Sequence, residues 1–304
     1  MFPDRRARSF LDTAALSRLA AVPLFARKAM QGSVSGRHPS PHRGSSVEFA
    51  EYRRYVPGDD LRRLDWRAYG RTDRFFVKEF EADTNLRCCL VLDTSGSMDF
   101  GSGSGVTKID YARKVAGALG HLALQQGDAV GLSLVADGLV KSIPPRRNPA
   151  HLAAVFDALE TARPQGKTRL APTLHELAET LRQRALVVIL SDFFVEPELL
   201  RGCFQHLRFR KHDVAAFHLL DPNEIGFDFH RPMRFLDMEG GPSIFAEPSE
   251  IADRYRRAMT TYLDDVRTIT LESAVDYRRT ALDEDYEQVV MRFLVDRTRS
   301  KGAR

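Results

Sequence analysis

Cysteine is scarce, with three in 304 residues. Cys88 and Cys89 are neighbours in a strand-like run, where successive side chains face opposite sides, and Cys203 stands alone. Neither a disulfide framework nor a Cys-x-x-Cys metal or redox pair can be drawn from them, so reduced cytosolic thiols are the expectation. Long apolar runs are missing as well. The longest central run, 185–190, has the length of a buried strand and falls well short of the roughly eighteen residues that cross a bilayer. The charged opening residues lead into no long apolar stretch with a small-residue cleavage site, which disfavours secretion. The histidines are scattered and offer no tuned acid/base pair. His175-Glu176 is followed by Glu179 where a zinc protease would carry its second histidine, which removes that reading. Gly166-Lys167-Thr168 resembles the end of a phosphate-binding loop, but Thr161 stands where the first glycine belongs.

The chain is long enough for one full α/β core and a smaller accessory unit. Its charge is unevenly placed: residues 1–78 carry a net +8 and the remainder a net −4, for a total of +4. A basic face of this kind suits an acidic protein partner, nucleic acid or an anionic membrane surface, or is merely solvated. The arginines form no recognisable nucleic-acid motif, and Trp66 is the sole tryptophan, so nucleic acid is the disfavoured partner.

Three segments are expected. Residues 1–46 form a basic N-terminal helix over 11–25 and a connector over 31–46 rich in Gly, Ser, Pro and His. Residues 47–84 form a small β-containing region, with strands over 47–55 and 74–80 around the turn Pro57-Gly58-Asp59-Asp60. Residues 85–304 alternate strands and helices. Strands are expected over 86–92, 129–135, 185–190, 214–220 and 274–278, with a possible antiparallel edge over 139–143 and a short hairpin over 234–245. Helices are expected over 107–125, 149–159, 170–181, 198–209, 249–267 and 283–293. Strands without strict polar alternation, separated by helices, indicate a doubly wound, mostly parallel sheet flanked by helices.

In such a sheet ligands bind at the carboxyl ends of the strands. Three loops supply hard oxygen donors there: Asp93, Ser95 and Ser97 after the first strand, Thr168 before a helix, and Asp192 after the run 185–190. A small divalent cation prefers six oxygens and keeps several waters. Ser95 and Ser97 offer neutral hydroxyls, Gly96 lets the loop bend between them, and Asp93, Asp192 and Thr168 ligate directly or through water. Two carboxylates leave a 2+ ion near neutral, with a coordination position open to an external carboxylate. Plain turn formation or helix capping by Thr168 and Asp192 is compatible with the same residues.

The stretch Asp93-Thr94-Ser95-Gly96-Ser97 resembles the Asp-x-Ser-x-Ser motif of the metal-ion-dependent adhesion site (MIDAS) in von Willebrand factor A domains, with Thr168 matching its threonine and Asp192 its final aspartate. The preceding residues are similar to the signature of the DUF58 family: Arg53-Arg54-Tyr55-Val56-Pro57-Gly58-Asp59-Asp60-Leu61-Arg62-Arg63-Leu64-Asp65-Trp66, then Arg71-Thr72 and Val77-Lys78-Glu79-Phe80-Glu81. The resemblance implies a von Willebrand factor A-like fold behind a short N-terminal portion, in a bacterial protein that acts with a MoxR-type AAA+ ATPase as an adaptor or in maturing protein complexes. It implies Mg2+ in the site, with Mn2+ or Ca2+ as substitutes, and a protein ligand that supplies an acidic side chain. Many members carry membrane segments; none is read here, so a cytoplasmic or peripheral membrane setting is expected. Arg53, Tyr55, Pro57, Gly58, Asp59, Asp60, Arg62, Asp65 and Trp66 have two readings, a salt-bridged structural brace with a packed tryptophan, or a partner-binding surface. Two other functions stay open: a metal-assisted phosphoester hydrolase, for which Arg53, Arg62 and Lys167 are possible anion contacts, and a nucleic-acid-binding protein using the basic N-terminal region.

Overall fold

The apolar runs of the sequence pair into a six-stranded sheet in the computed structural model, which describes residues 8–26, 38–39, 48–55, 65–72, 74–81, 83–84, 86–102 and 105–302. The chain divides into two compact units, Met1–Arg27 together with Arg87–Arg304, and Lys28–Leu86. Helix α1 (Thr13–Leu19) opens the larger unit. The smaller unit contains β1 (His38–Pro39), β2 (Glu48–Arg54), α2 (Trp66–Thr72), β3 (Phe76–Glu81) and β4 (Asp83–Thr84), with β2 antiparallel to β3 and β1 antiparallel to β4. The larger unit resumes with β5 (Arg87–Asp93), α3 (Lys108–Gln125), β6 (Ala129–Ala136), β7 (Gly138–Arg146), α4 (Pro149–Thr161) and α5 (Leu170–Thr180). It continues through β8 (Leu186–Ser191), α6 (Pro197–Phe209), β9 (Asp213–Leu220), α7 (Pro222–Gly226), β10 (Met233–Phe235), β11 (Ile244–Ala246), α8 (Pro248–Glu272), β12 (Asp276–Ala281) and α9 (Tyr286–Gly302).

The sheet order is β12-β9-β8-β5-β6-β7, parallel throughout except for β7, which runs antiparallel to β6. All residues of β6, β8 and β9 are buried, as expected of strands covered on both faces. Cys89, Val91, Val187, Ile189, Val214 and Ala216 share one core with α5, α6 and α8. The alternate residues face the other layer, where Leu90 and Val130 lie beside Gly120 of α3 and Leu152 of α4, and the Phe217 ring meets Phe293 of α9 at 5.1 Å. This is the doubly wound, mostly parallel arrangement anticipated from the sequence. The chain leaves β5 toward β6 on one side and leaves β8 toward β9 on the other, so the winding reverses between the carboxyl ends of β5 and β8.

Three helix lengths differ from the expectation, each for a physical reason. Helix α1 is shorter than 11–25: Asp12 caps its start by accepting from the Ala14 and Ala15 amides, and Pro23 downstream biases the preceding residue away from helical angles. Helix α8 runs on to Glu272 through a β-branched stretch because Ile269 and Thr270 are buried against the sheet. Helix α9 extends past 293 because Arg297, fully buried, forms ion pairs with Asp276 at 3.0 Å and with Asp213, and donates to the Phe25 carbonyl at 2.6 Å. That one guanidinium ties the start of β9, the start of β12 and the N-terminal segment together, and explains why residues near 25 belong to the larger unit.

Two buried histidines contribute to the acid sensitivity of this unit. Burial, and then nearby Arg210, push His212 down to about 4, and burial does the same to His218, whose Nδ1 lies 2.8 Å from the Tyr277 hydroxyl. Both are neutral in the folded protein, whereas an unfolded histidine protonates near 6.5. Between about pH 6.5 and 4 the unfolded chain binds more protons, so stability falls as pH falls through that window. Each histidine contributes a decline on the order of 1–3 kcal/mol over the full window. It is opposed by the buried Asp93 carboxylate, which takes up a proton near pH 6 in the folded protein, so urea midpoints from pH 7 to 5 are read as the difference between wild type and a histidine variant. His218→Gln should show a shallower decline; an unchanged slope would contradict the assignment.

Candidate functional site

Strands β5 and β8 run side by side in parallel and end at Asp93 and Ser191. Asp93 is buried, and its carboxylate accepts from the Ser95 amide at 2.9 Å through Oδ1 and from the Ser191 hydroxyl at 2.6 Å through Oδ2. The first bond turns the chain sharply after the strand, so that Ser95 and Ser97 bring their Oγ atoms to 3.2 Å from each other. Backbone bonds then stitch the neighbouring loops to this one. The Thr94 amide and hydroxyl both donate to the Val135 carbonyl, the Gln165 amide donates to the Thr94 carbonyl at 2.9 Å, and the Gly96 amide donates to the Gly166 carbonyl at 2.9 Å. Thr168 follows Gly166 in this second loop, and its amide donates to Glu239 Oε2 at 3.0 Å. A shallow cleft of about 490 Å3, lined by residues 136–140 with Gln165 and Gly166, opens beside it.

Gly96 fills its place for a reason other than the bend expected of it. It is absent from the glycines with positive φ, and a Cβ there would collide with the Met238 carbonyl and crowd the Gly166 carbonyl at 3.2 Å. Absence of a side chain is what lets a second segment of the chain pass over the loop.

The second carboxylate has a different environment. Asp192 follows β8 and is buried, and its Oδ2 lies 2.8 Å from Lys108 Nζ. The same ammonium lies 2.6 Å from Glu224 Oε1 and is itself fully buried. Glu224 is held for this contact by α7, where its Oε2 accepts from the Asp221 amide at 2.9 Å while Asp221 caps the helix start. Burial disfavours the Lys108 charge, but the two carboxylates outweigh it and raise its pKa above the ordinary lysine value. Burial also raises Glu224. Asp93, by contrast, accepts only from neutral donors in these contacts. Burial, and then the Asp192 carboxylate, push it up to about 6 despite the bonds from Ser191 and Ser95.

Helix capping is not the role of either outlying residue. The N-cap of α5 is Arg169 rather than Thr168, and that of α6 is Glu196 rather than Asp192. In the smaller unit, Pro57, Gly58, Asp59, Asp60 and Arg62 lie outside the described residues. Arg53 pairs through its backbone with Val77 in β2–β3. The Tyr55 amide donates to the Phe75 carbonyl at 3.0 Å, and the Tyr55 ring sits edge-on to Phe75 at 6.2 Å. Asp65 is buried and accepts from the Ala68 amide at 3.2 Å, bracing the first turn of α2. Trp66 is 63% exposed, with its ring edge-on to Tyr69 and Phe75 of the same unit.

The spacing of the two serine hydroxyls is compatible with a hard divalent ion. Adjacent ligands around Mg2+ at 2.0–2.1 Å lie about 3 Å apart in an octahedron, close to the 3.2 Å between the Ser95 and Ser97 hydroxyls. Among the described residues no group of three or more His, Cys, Asp or Glu side chains is placed to hold a metal, so any ion here depends on hydroxyl ligands and water beside Asp93. Lys108, Glu224 and Glu239 escaped sequence reasoning. A lysine at the first turn of a helix reads as solvated, and only the fold shows it buried between two carboxylates.

These environments give opposite mutational outcomes. Lys108→Met strands the buried Asp192 carboxylate and the half-buried one of Glu224 and is expected to cost about 3–5 kcal/mol of unfolding free energy in denaturant titrations. Asp93→Asn removes a charge that the metal-free fold holds against its preference. In chelator at pH 7.5 it should raise stability by on the order of 1–3 kcal/mol; a loss of similar size would show that Asp93 serves the fold rather than a ligand.

The chain is similar to several known proteins. The chain is 28% identical over 286 residues to "Uncharacterized protein Rv1480" of Mycobacterium tuberculosis (strain ATCC 25618 / H37Rv), covering 92% of this chain and 89% of that one. It is 31% identical over 115 residues to "Uncharacterized protein YeaD" of Bacillus subtilis (strain 168), covering 38% and 26%. Among solved structures it is similar to an aerotolerance-related membrane protein from Bacteroides fragilis NCTC 9343, with 13% identity, a TM-score of 0.48 and coverage of 71% and 100%. It is also similar to the SpRpn10 VWA domain, with 11% identity, a TM-score of 0.41 and coverage of 69% and 94%. Residues 51–263 match the family described as "Protein of unknown function DUF58", well over half of the 304 residues, and the chain belongs to that family.

Proposed function

We propose that this DUF58 protein is a non-enzymatic adaptor that binds a protein partner through a divalent cation. The carrying observation is the state of Asp93, a buried carboxylate repelled by Asp192, bonded only to neutral donors, and set beside two hydroxyls 3.2 Å apart. A buried anion without a cationic partner is costly, and the buried ammonium of Lys108 is already shared by Asp192 and Glu224. A 2+ ion supplies the missing charge. Asp93, Ser95, Ser97, Thr168 and Asp192 are the residues that would hold it, directly or through water, with Mg2+ as the resident ion and Mn2+ or Ca2+ as substitutes.

When bound, such an ion offers an open position that attracts a hard anion, and a carboxylate from an acidic side chain of the partner is the natural ligand. The cleft lined by residues 136–140, Gln165 and Gly166 gives the remainder of the partner a surface next to that position. A MoxR-type AAA+ ATPase is the partner class that the family resemblance brings forward, with the adaptor delivering protein complexes for remodelling or maturation. No helix among the described residues is long and apolar enough to cross a membrane. We place the adaptor in the cytoplasm, with peripheral membrane contact compatible with its basic N-terminal third.

Affinity capture with the full chain tests this reading. Immobilised protein is exposed to native lysate in Mg2+ or in chelator, with Asp93→Ala run in parallel. One set of retained proteins should fall by about tenfold or more in chelator, equivalent to about 1.4 kcal/mol of binding, and should be absent from Asp93→Ala in both conditions. Retention that is indifferent to Mg2+ and to Asp93→Ala would overturn the cation-dependent mechanism.

A further inference from the structure

The site is already approached by an acidic group of its own chain. Between β10 and β11 the chain makes a tight turn at 237–241, in which the Glu239 amide donates to Asp237 Oδ1 at 2.8 Å and Gly240 takes a left-handed φ of 86°. Two contacts dock this turn on the cation loops. The Glu239 carboxylate accepts from the Thr168 amide at 3.0 Å, and the Met238 carbonyl passes so close to Gly96, between Ser95 and Ser97, that no side chain fits there. The base of the hairpin is fixed separately. Phe227 stacks on Phe235 at 5.7 Å and meets Phe229 at 5.1 Å, while Tyr255 of α8 packs on Phe227 at 4.5 Å. An anchored hairpin thus delivers a carboxylate to the loop that carries one of the proposed ligands.

Resting on the cation-site reading above, we propose that the turn 237–241 is a built-in occupant of the site, with Glu239 supplying the kind of carboxylate that a partner brings. A partner therefore binds by displacing Glu239, and the affinity seen from outside is the intrinsic affinity multiplied by the fraction of molecules in which the turn has lifted. The chemistry of the internal group also defines the external one: a carboxylate on a mobile or projecting segment, matched to a backbone N–H donor and a hard cation. Only a few contacts oppose lifting. Met238 and the flanking Leu236, Ile244 and Phe245 are substantially exposed, so the turn gains little from burial of its own apolar side chains.

The test uses the full chain, Mn2+ as the ion and acetate as the carboxylate probe. Electron paramagnetic resonance counts free Mn2+, and water-proton relaxation reports water exchanging at bound Mn2+. Wild type is expected to bind Mn2+ with modest relaxation enhancement and weak response to acetate. Glu239→Gln, which keeps the shape of the turn and removes its charge, should still bind Mn2+, with larger enhancement and roughly tenfold tighter acetate quenching. Glu239→Asp, which restores the charge, should return acetate affinity toward the wild-type value. Mn2+ binding with the same enhancement and acetate affinity in wild type and Glu239→Gln overturns the built-in occupant alone. Failure of wild type and Glu239→Gln alike to bind Mn2+ overturns the cation site and this inference with it.

Discussion

Two aspartates, Asp93 and Asp192, are buried at the carboxyl edge of a parallel sheet, at the point where its winding reverses. Parallel pairing of β5 with β8 fixes their loops side by side whatever the cost to the charges. The fold answers that cost for one of them only. Lys108 is placed by the first turn of α3 between Asp192 and Glu224, so this pair of carboxylates shares a single desolvated ammonium. Asp93 receives an amide and a hydroxyl, which orient it but leave its charge uncompensated, and its proton affinity rises accordingly. An asymmetry of this kind is more economically explained by a ligand than by stability.

The rest of the larger unit keeps that arrangement rigid. Strands buried on both faces hold the loop ends to the register of the sheet, and backbone bonds from Thr94, Gln165 and Gly96 fasten the loops to one another. Glu224 is positioned by the capping box of α7, so even the outermost member of the charge cluster is set by backbone geometry. Against this frame, the turn 237–241 is held by a few polar contacts and a close carbonyl approach over Gly96. A rigid basin beneath a lightly held carboxylate is what the proposed exchangeable ligand site requires.

Much of the fold was legible because the core strands are continuous apolar runs. The segments 86–92, 129–135, 185–190 and 214–220 each correspond to a strand of the sheet, and the possible antiparallel edge over 139–143 lies within β7. Helix ends were less legible, since the tails of α8 and α9 are fixed by burial of Ile269 and by the Arg297 ion pairs, which no local pattern reveals. Within the site, the small polar residues after β5 and β8 were evident from where a parallel sheet places its loops. The partners that decide their chemistry were not. Lys108 lies 84 residues from Asp192, and Glu239 lies 71 from Thr168, and each belongs to a segment whose own periodicity gives it a different, ordinary role.

Calorimetric titration of Mg2+ into the chelator-stripped chain, followed by thermal unfolding of the same samples, bears most directly on the missing positive charge. The account predicts one binding site per chain and a rise in unfolding temperature that grows with the logarithm of free Mg2+, both absent in Asp93→Asn. An unfolding temperature that stays constant from chelator to millimolar Mg2+ would contradict it.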